Sequence, residues 1–128
     1  MTEAKRRILV VDDERSVAQG IALALASDDV EIETVLSGED ALIRMVAVRY
    51  DLIICDLMMP GLSGLDLLKS FREYRPHTPV LMITGYPTHR TAEESLKMGA
   101  VAYITKPFTP AEIRAAAAQA LASAGSPL

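Results

Sequence analysis

Three aspartates stand directly after short apolar runs of the sequence. Asp12 and Asp13 follow the run Ile-Leu-Val-Val, and Asp56 follows the run Leu-Ile-Ile-Cys. Carboxylates brought within a few ångströms of one another raise each other's pKa unless a cation lies between them. A hard divalent cation with oxygen ligands suits such a group, and Mg²⁺ is the natural choice. A carboxylate that faces this ion can attack a phosphoryl group and form an acyl phosphate.

Two further polar residues also come after apolar runs and complete this chemistry. Thr84 follows the run 80–83, and Lys106 stands shortly after the run 101–104. The Thr84 hydroxyl and the Lys106 ammonium are suited to bind the oxygens of a transferred phosphoryl group. Taken alone, each of these residues has an ordinary explanation as a helix cap, a turn former or a solvated loop residue. Their shared position after different strands favours one common site.

The elements that must position these residues alternate between two periodicities. Apolar runs predict five strands, at 8–11, 31–36, 52–55, 80–83 and 101–104. The continuous apolar character of the first, third and fourth runs is typical of strands buried on both faces of a parallel sheet. Between the runs, apolar residues recur at helical spacing, as at Val17, Ile21 and Leu25.

Helix signals agree with this division of the chain. Ser37, Ser63 and the Thr109-Pro110 pair stand where helices should begin, and Gly99 stands where the fourth helix should end. The alternation predicts an α/β fold of flavodoxin-like, doubly wound (βα)5 type, with a five-stranded parallel sheet in the order 2-1-3-4-5 and helices on both faces. In that order the carboxyl ends of strands one, three, four and five meet at one edge. We expect one domain over 1–122, followed by a linker-like or frayed tail over 123–128.

The composition argues against several classes of function. The chain has 128 residues and a net charge of −4, which disfavours direct nucleic acid binding because phosphate contacts need a basic face. The single cysteine, Cys55, leaves no disulfide within the chain and fits a reducing compartment. The apolar run 8–11 is too short for a signal peptide or a membrane span. We therefore expect a cytoplasmic protein that does not bind membranes.

Four motifs give the chain a resemblance to a known family. They are Val-Val-Asp-Asp-Glu (10–14), Asp-Leu-Met-Met-Pro-Gly (56–61) with Ser-Gly-Leu-Asp-Leu-Leu (63–68), Ile-Thr-Gly-Tyr (83–86) and Gly-Ala-Val-Ala-Tyr-Ile-Thr-Lys-Pro-Phe (99–108). From Ile8 to about Leu121, the chain resembles the receiver domain of two-component response regulators. Together these motifs are far more specific than the fold class alone.

The resemblance implies a role for each residue of the acidic site. Asp56 is expected to accept a phosphoryl group from the phosphohistidine of a histidine kinase, with Mg²⁺ as the cofactor. Asp13 and Asp56 are expected to ligate Mg²⁺ directly, and Asp12 mainly through water. The backbone carbonyl of Met58 would complete the protein ligands.

The resemblance also implies a switch. Movement of Thr84 toward the phosphoryl group would be coupled to an inward rotation of Tyr103, which changes the surface of helix four, strand five and helix five. Met58 and Tyr86 occupy the positions that tune phosphoryl lifetime in the family, and their bulk leads us to expect restricted water access. The Lys106–Pro107 bond is expected to be cis.

A signalling switch that catalyses its own phosphorylation and dephosphorylation is the leading interpretation, rather than an enzyme. Its partners would be a sensor histidine kinase or phosphotransfer protein and an effector domain or output partner not present in this chain. We expect a monomer or a phosphorylation-dependent homodimer. The sequence identifies neither the kinase nor the output.

Three alternatives remain open at this point. A phosphatase or phosphotransferase would use Asp12 or Asp13 as its nucleophile, although that chemistry usually needs Asp-x-Asp after the first strand. A flavodoxin-like cofactor binder would need a phosphate loop there, and Asp-Asp-Glu-Arg is electrostatically unsuited to a phosphate. A degenerate receiver used only as a scaffold is disfavoured by the intact set of polar residues.

Overall fold

Within the part of the chain that the structure describes, five strands alternate with five helices, as the hydrophobic pattern predicts. The structure is a computed structural model that describes residues 5–59, 61, 63–85 and 89–124. The strands are β1 (Arg6–Val11), β2 (Val30–Val35), β3 (Leu52–Asp56), β4 (Val80–Thr84) and β5 (Ala102–Thr105). The helices are α1 (Arg15–Leu25), α2 (Gly38–Ala47), α3 (Gly64–Tyr74), α4 (His89–Lys97) and α5 (Pro110–Ala124).

All five strands lie parallel in one sheet of order β2-β1-β3-β4-β5, which confirms the predicted topology. Asp56 at the end of β3 pairs with Ile83, and Thr84 at the end of β4 pairs with Thr105. This register aligns the carboxyl ends of neighbouring strands. In open sheets of this kind, ligands bind at that edge, where the strand order reverses between β1 and β3.

The sheet separates two apolar layers. β3 and β4 are buried along their whole length, as expected for strands covered on both faces. One face packs against α2 and α3, around Met45, Leu68 and Phe71. The other face packs against α1 and α5, around Ile21 and Ile113. Because helices cover both faces of the sheet, its polar groups lie at its edges.

Three helices begin, and one ends, at the predicted signals. Ser37 Oγ and Ser63 Oγ each accept a hydrogen bond from a backbone N–H three residues later, at 3.1 and 3.2 Å. Thr109 and Glu112 form a capping box, in which each side chain accepts a hydrogen bond from the other's backbone N–H. Gly99 follows α4 with a φ of 103°, a left-handed conformation that favours glycine. No helix within the described residues has the length and apolar character that a membrane crossing requires.

The element boundaries differ slightly from the predicted ones. β1 begins at Arg6 rather than residue 8, because Arg6 pairs with Val30 on the edge strand β2. β5 begins at Ala102 rather than residue 101. α5 continues to Ala124, past the predicted domain boundary at residue 122, and 125–128 lie outside the described residues. The division of the chain at residue 122 therefore stays a prediction.

Candidate functional site

The end of β1 holds one carboxylate in the interior and one at the surface. Asp12 is fully buried, and its backbone N–H donates to Val35 O at 3.2 Å. Asp12 Oδ1 accepts a hydrogen bond from Glu14 N at 2.9 Å, which turns the chain from β1 into α1. Asp13 is exposed. The acidic pair therefore offers one oriented carboxylate and one that solvent reaches.

The end of β3 presents Asp56 with both carboxylate oxygens in hydrogen bonds. Its side chain is only 3% exposed. Oδ1 accepts from Met58 N at 3.0 Å, and Oδ2 accepts from Lys106 Nζ at 3.1 Å. The next residue, Leu57, donates its backbone N–H to Ile83 O at 2.7 Å, which ties the strand end to β4. Asp56 is thus held in a defined orientation.

Lys106 joins the carboxylates of two strand ends. Its backbone N–H donates to Thr84 O at 2.8 Å, and its peptide bond to Pro107 is cis, as predicted. Its ammonium lies 3.2 Å from Asp12 Oδ2, 3.2 Å from Glu14 Oε1 and 3.1 Å from Asp56 Oδ2. One positive charge is therefore shared among three negative groups.

The pKa values of Asp12 and Lys106 are both raised, but burial has opposite effects on the two groups. Burial raises the pKa of Asp12, and the neighbouring charge of Asp56 raises it further, against the hydrogen bond from Glu14 N and the attraction of Lys106. Burial alone would lower the pKa of Lys106. The hydrogen bond to Asp56 and the negative charges of Asp12 and Asp56 outweigh burial, so the pKa of Lys106 lies above its usual value. The site carries more negative charge than Lys106 neutralises.

The donor set fits a divalent cation. Asp12, Asp13, Glu14 and Asp56 each offer a carboxylate oxygen, and these atoms all lie within 4.8 Å of one another. Among the described residues, the buried Asp12 Oδ2 has no aligned hydrogen-bond donor, although Lys106 Nζ lies near it. An all-oxygen, strongly negative group of this kind suits Mg²⁺ better than a softer metal.

The two residues expected to form a switch lie on adjacent strands. Thr84 is fully buried at the end of β4. Tyr103 on β5 pairs with Met82 and is 42% exposed. The side chain of Tyr103 therefore reaches the surface. Tyr86, expected to tune phosphoryl lifetime, lies outside the described residues.

Two residues contribute to the site in ways that the sequence analysis did not predict. Glu14 accepts a hydrogen bond from Lys106 Nζ and belongs to the acidic group. Its place directly after the acidic pair was the available signal. Gly64, the first residue of α3, packs against the backbone that follows Asp56, and a Cβ there would lie 2.5 Å from Leu57 Cα. No local sequence signal distinguishes this glycine from an ordinary helix-start residue.

Comparison with known proteins gives a consistent match. Residues 8–118 match the family model described as the response regulator receiver domain. The transcriptional regulatory protein DltR of Streptococcus agalactiae is 38% identical over 109 residues, covering 85% of this chain and 49% of that protein. PhoP of Bacillus subtilis, an alkaline phosphatase synthesis transcriptional regulatory protein, is 36% identical over 110 residues, with coverages of 86% and 46%. The chain thus spans about half the length of these relatives.

Solved structures show the same architecture. A CheY-like receiver domain protein from Methanospirillum hungatei superposes with a TM-score of 0.90 at 27% identity, covering 94% of this chain and 97% of that one. The chemotaxis protein CheY4 of Vibrio cholerae superposes with a TM-score of 0.85 at 30% identity, with coverages of 91% and 99%. Both likenesses extend over nearly the whole of each chain.

Proposed function

This chain belongs to the response regulator receiver domain family of two-component systems, and from that premise we propose that Asp56 accepts a phosphoryl group from a phosphohistidine. The observation that carries the proposal is the buried Asp56 carboxylate, held by Lys106 inside a cluster of acidic residues. The donor would be a sensor histidine kinase or a phosphotransfer protein. Receiver domains act as signalling switches, so the product is a changed protein rather than a released compound.

The geometry of Asp56 supports the proposed transfer. A carboxylate oxygen of Asp56 attacks phosphorus, the bond from phosphorus to the histidine nitrogen breaks, and an acyl phosphate forms. Lys106 Nζ, already 3.1 Å from Asp56 Oδ2, is close enough to bind a phosphoryl oxygen. Thr84 ends the adjacent strand and is proposed to donate its hydroxyl to another phosphoryl oxygen. Fixed donors of this kind stabilise the charge of the transition state.

The acidic group is proposed to hold Mg²⁺ for this reaction. Asp12, Asp13 and Asp56 and the backbone carbonyl of Met58 would be its protein ligands. When bound, the ion offsets the negative charge that gathers on the phosphoryl oxygens. The excess of carboxylates over ammonium groups supports this assignment.

We propose that phosphorylation acts on the surface formed by α4, β5 and α5. Thr84 would move toward the phosphoryl group, and Tyr103 would turn inward from its half-exposed position. Lys106 N and Thr84 O are hydrogen bonded at 2.8 Å, which connects the phosphorylation site to β5. The charge of the added phosphoryl group would thus favour one of the two positions of Thr84 and Tyr103.

The output is proposed to be protein-mediated. The net charge of −4 gives little support to direct contact with nucleic acid, so an effector domain or output partner would carry the signal. The chain would act as a monomer or as a phosphorylation-dependent homodimer. A reducing, cytoplasmic setting is part of this proposal, and the single cysteine is consistent with it.

Incubation with acetyl phosphate and MgCl₂ tests the function directly. Intact mass spectrometry should detect one added phosphoryl group, labile in acid and absent when EDTA replaces Mg²⁺. Asp56→Asn should take up none, and Asp51→Asn, which changes an exposed aspartate at the opposite end of β3, should take up as much as the wild type. An unmodified wild type, or equal modification of Asp56→Asn, would contradict the proposal.

A further inference from the structure

Met58 differs in exposure from the other methionines that the structure describes. Five of the six methionines lie within the described residues. Met45 and Met82 are fully buried in the core, Met59 and Met98 are partly buried against it, and Met58 is 57% exposed. The thioether of Met58 is therefore the one among these that dissolved reagents reach most easily.

Met58 also lies beside the phosphorylation site. Its backbone N–H donates to Asp56 Oδ1 at 3.0 Å. Met58 lines a groove of about 640 Å³ together with Asp56, Gly85 and Lys106. The remaining walls are mostly apolar residues of α1 and α5, including Ile21. A chemical change at the Met58 sulfur would therefore alter the surroundings of a phosphoryl group on Asp56.

We propose that Met58 is an oxidation site through which peroxide shortens the lifetime of the phosphoryl group on Asp56. In the modification, the thioether sulfur attacks one oxygen of hydrogen peroxide, the O–O bond breaks, and one oxygen is transferred to sulfur. Sulfur is oxidised by two electrons, peroxide is reduced, and water leaves. The product is methionine sulfoxide, which methionine sulfoxide reductases convert back. The effect on lifetime rests on the proposed function of Asp56.

The direction of the effect follows from polarity. The thioether is apolar and accepts hydrogen bonds only weakly, so it keeps water away from the acyl phosphate. A sulfoxide oxygen is a strong hydrogen-bond acceptor in the same place, and it can orient a water molecule for attack on phosphorus. It also competes with the phosphoryl oxygens for the Lys106 ammonium. Both changes speed the loss of the phosphoryl group.

The first experiment measures where oxidation occurs. The folded protein is titrated with hydrogen peroxide, and peptide mass spectrometry follows each methionine. Met58 should reach half-oxidation at a lower peroxide dose than Met45, Met59, Met82 and Met98. Equal or earlier oxidation of one of these four would overturn the assignment of Met58 as the sensitive site.

The second experiment measures phosphoryl lifetime. Phosphorylated protein is separated from acetyl phosphate, and the loss of the phosphoryl group is followed with and without prior oxidation. Oxidised wild type should lose it about fivefold faster, the rate equivalent of one additional hydrogen bond in the transition state. Treatment with methionine sulfoxide reductase should restore the slower rate.

Two variants identify Met58 as the cause. Met58→Leu is compared with and without peroxide, and peroxide should leave its phosphoryl lifetime unchanged. Met98→Leu, which changes a methionine that directly follows α4 and does not line the groove, should keep the full response to peroxide. An unchanged lifetime in the oxidised wild type, or a response retained in Met58→Leu, would overturn the inference. Failure of the unoxidised protein to take up a phosphoryl group would instead refute the proposed function and the lifetime effect with it.

Discussion

The buried Asp12 carboxylate lowers the stability of the protein when no metal ion is bound. Its carboxylate is fully buried, its pKa is raised by burial and by Asp56, and Lys106 is shared with two other acids. A carboxyl group whose pKa is raised on folding destabilises the folded state at any pH where it must ionise. A cation bound among these carboxylates would relieve the electrostatic cost of keeping Asp12 ionised.

Substitution of Asp12 tests whether its buried charge lowers the stability of the metal-free protein. Without Mg²⁺ at neutral pH, Asp12→Asn should raise the free energy of unfolding by about 1 kcal/mol, the usual size of a favourable change of one charged group, because the folded protein no longer has to keep a buried carboxylate ionised. The amide oxygen can still accept the hydrogen bond from Glu14 N. Urea denaturation in EDTA measures the change.

Acidification and Mg²⁺ provide the checks on this prediction. As the pH falls through the raised pKa of Asp12, the folded wild type gains a proton there, so the advantage of Asp12→Asn should shrink. Mg²⁺ should stabilise the wild type and stabilise Asp12→Asn much less. Asp28→Asn, at an exposed position between α1 and β2, should behave like the wild type. A less stable Asp12→Asn in EDTA would contradict the electrostatic account.

The junction between β3 and α3 depends on a close contact between Gly64 and the backbone of Asp56 and Leu57. A Cβ on Gly64 would lie 2.5 Å from Leu57 Cα and 2.6 Å from Asp56 O, both backbone atoms. Gly64 N also donates to Leu57 O at 3.1 Å. The start of α3 is therefore packed directly onto the segment that carries Asp56, and any displacement of one moves the other.

Two glycine substitutions should have opposite effects on stability. Gly64→Ala forces backbone atoms apart and should cost about 1 to 3 kcal/mol of unfolding free energy. It should also slow phosphorylation by acetyl phosphate because Asp56 is displaced. Gly20→Ala lies within α1, where a Cβ meets no atom within 4 Å, and should add about 1 kcal/mol through helix propensity. Thermal denaturation of both variants checks the signs, and a neutral Gly64→Ala would refute the packing argument.

At the scale of the whole molecule, the proposed switch requires that a change at Asp56 reach the face that contains Tyr103. Both sides of the sheet are closely packed, so under this proposal a local change would be transmitted through β4 and β5 rather than absorbed. The chain contains no tryptophan. A single tryptophan introduced at position 103 therefore reports on this face alone.

Tyr103→Trp should report the proposed switch by fluorescence. Side chain 103 is half exposed in the structure, and an inward turn on phosphorylation should shift the tryptophan emission to shorter wavelength. Acetyl phosphate with Mg²⁺ should produce the shift in Tyr103→Trp and not in the double variant with Asp56→Asn. An emission maximum that stays constant while mass spectrometry detects full phosphorylation would contradict coupling of Tyr103 to Asp56.

The sequence predicted the parts of this protein that depend on local patterns. Strand runs such as 52–55 and caps such as Ser63 are local signals, and the strand order followed from a general rule for parallel sheets. The shared contacts of Lys106 with Glu14 and the backbone contact of Gly64 were not predictable in this way. They depend on how separate segments meet in space, and no spacing along the chain encodes those distances.

The position of the phosphoryl group tests the central proposal most directly. Protein treated with acetyl phosphate and Mg²⁺ is reduced with sodium borohydride, which converts an aspartyl phosphate to homoserine, and the peptides are sequenced by mass spectrometry. The proposed function predicts homoserine at position 56, with Asp12 and Asp13 unchanged. Homoserine at position 12 or 13 would contradict it and would favour an aspartyl nucleophile after β1.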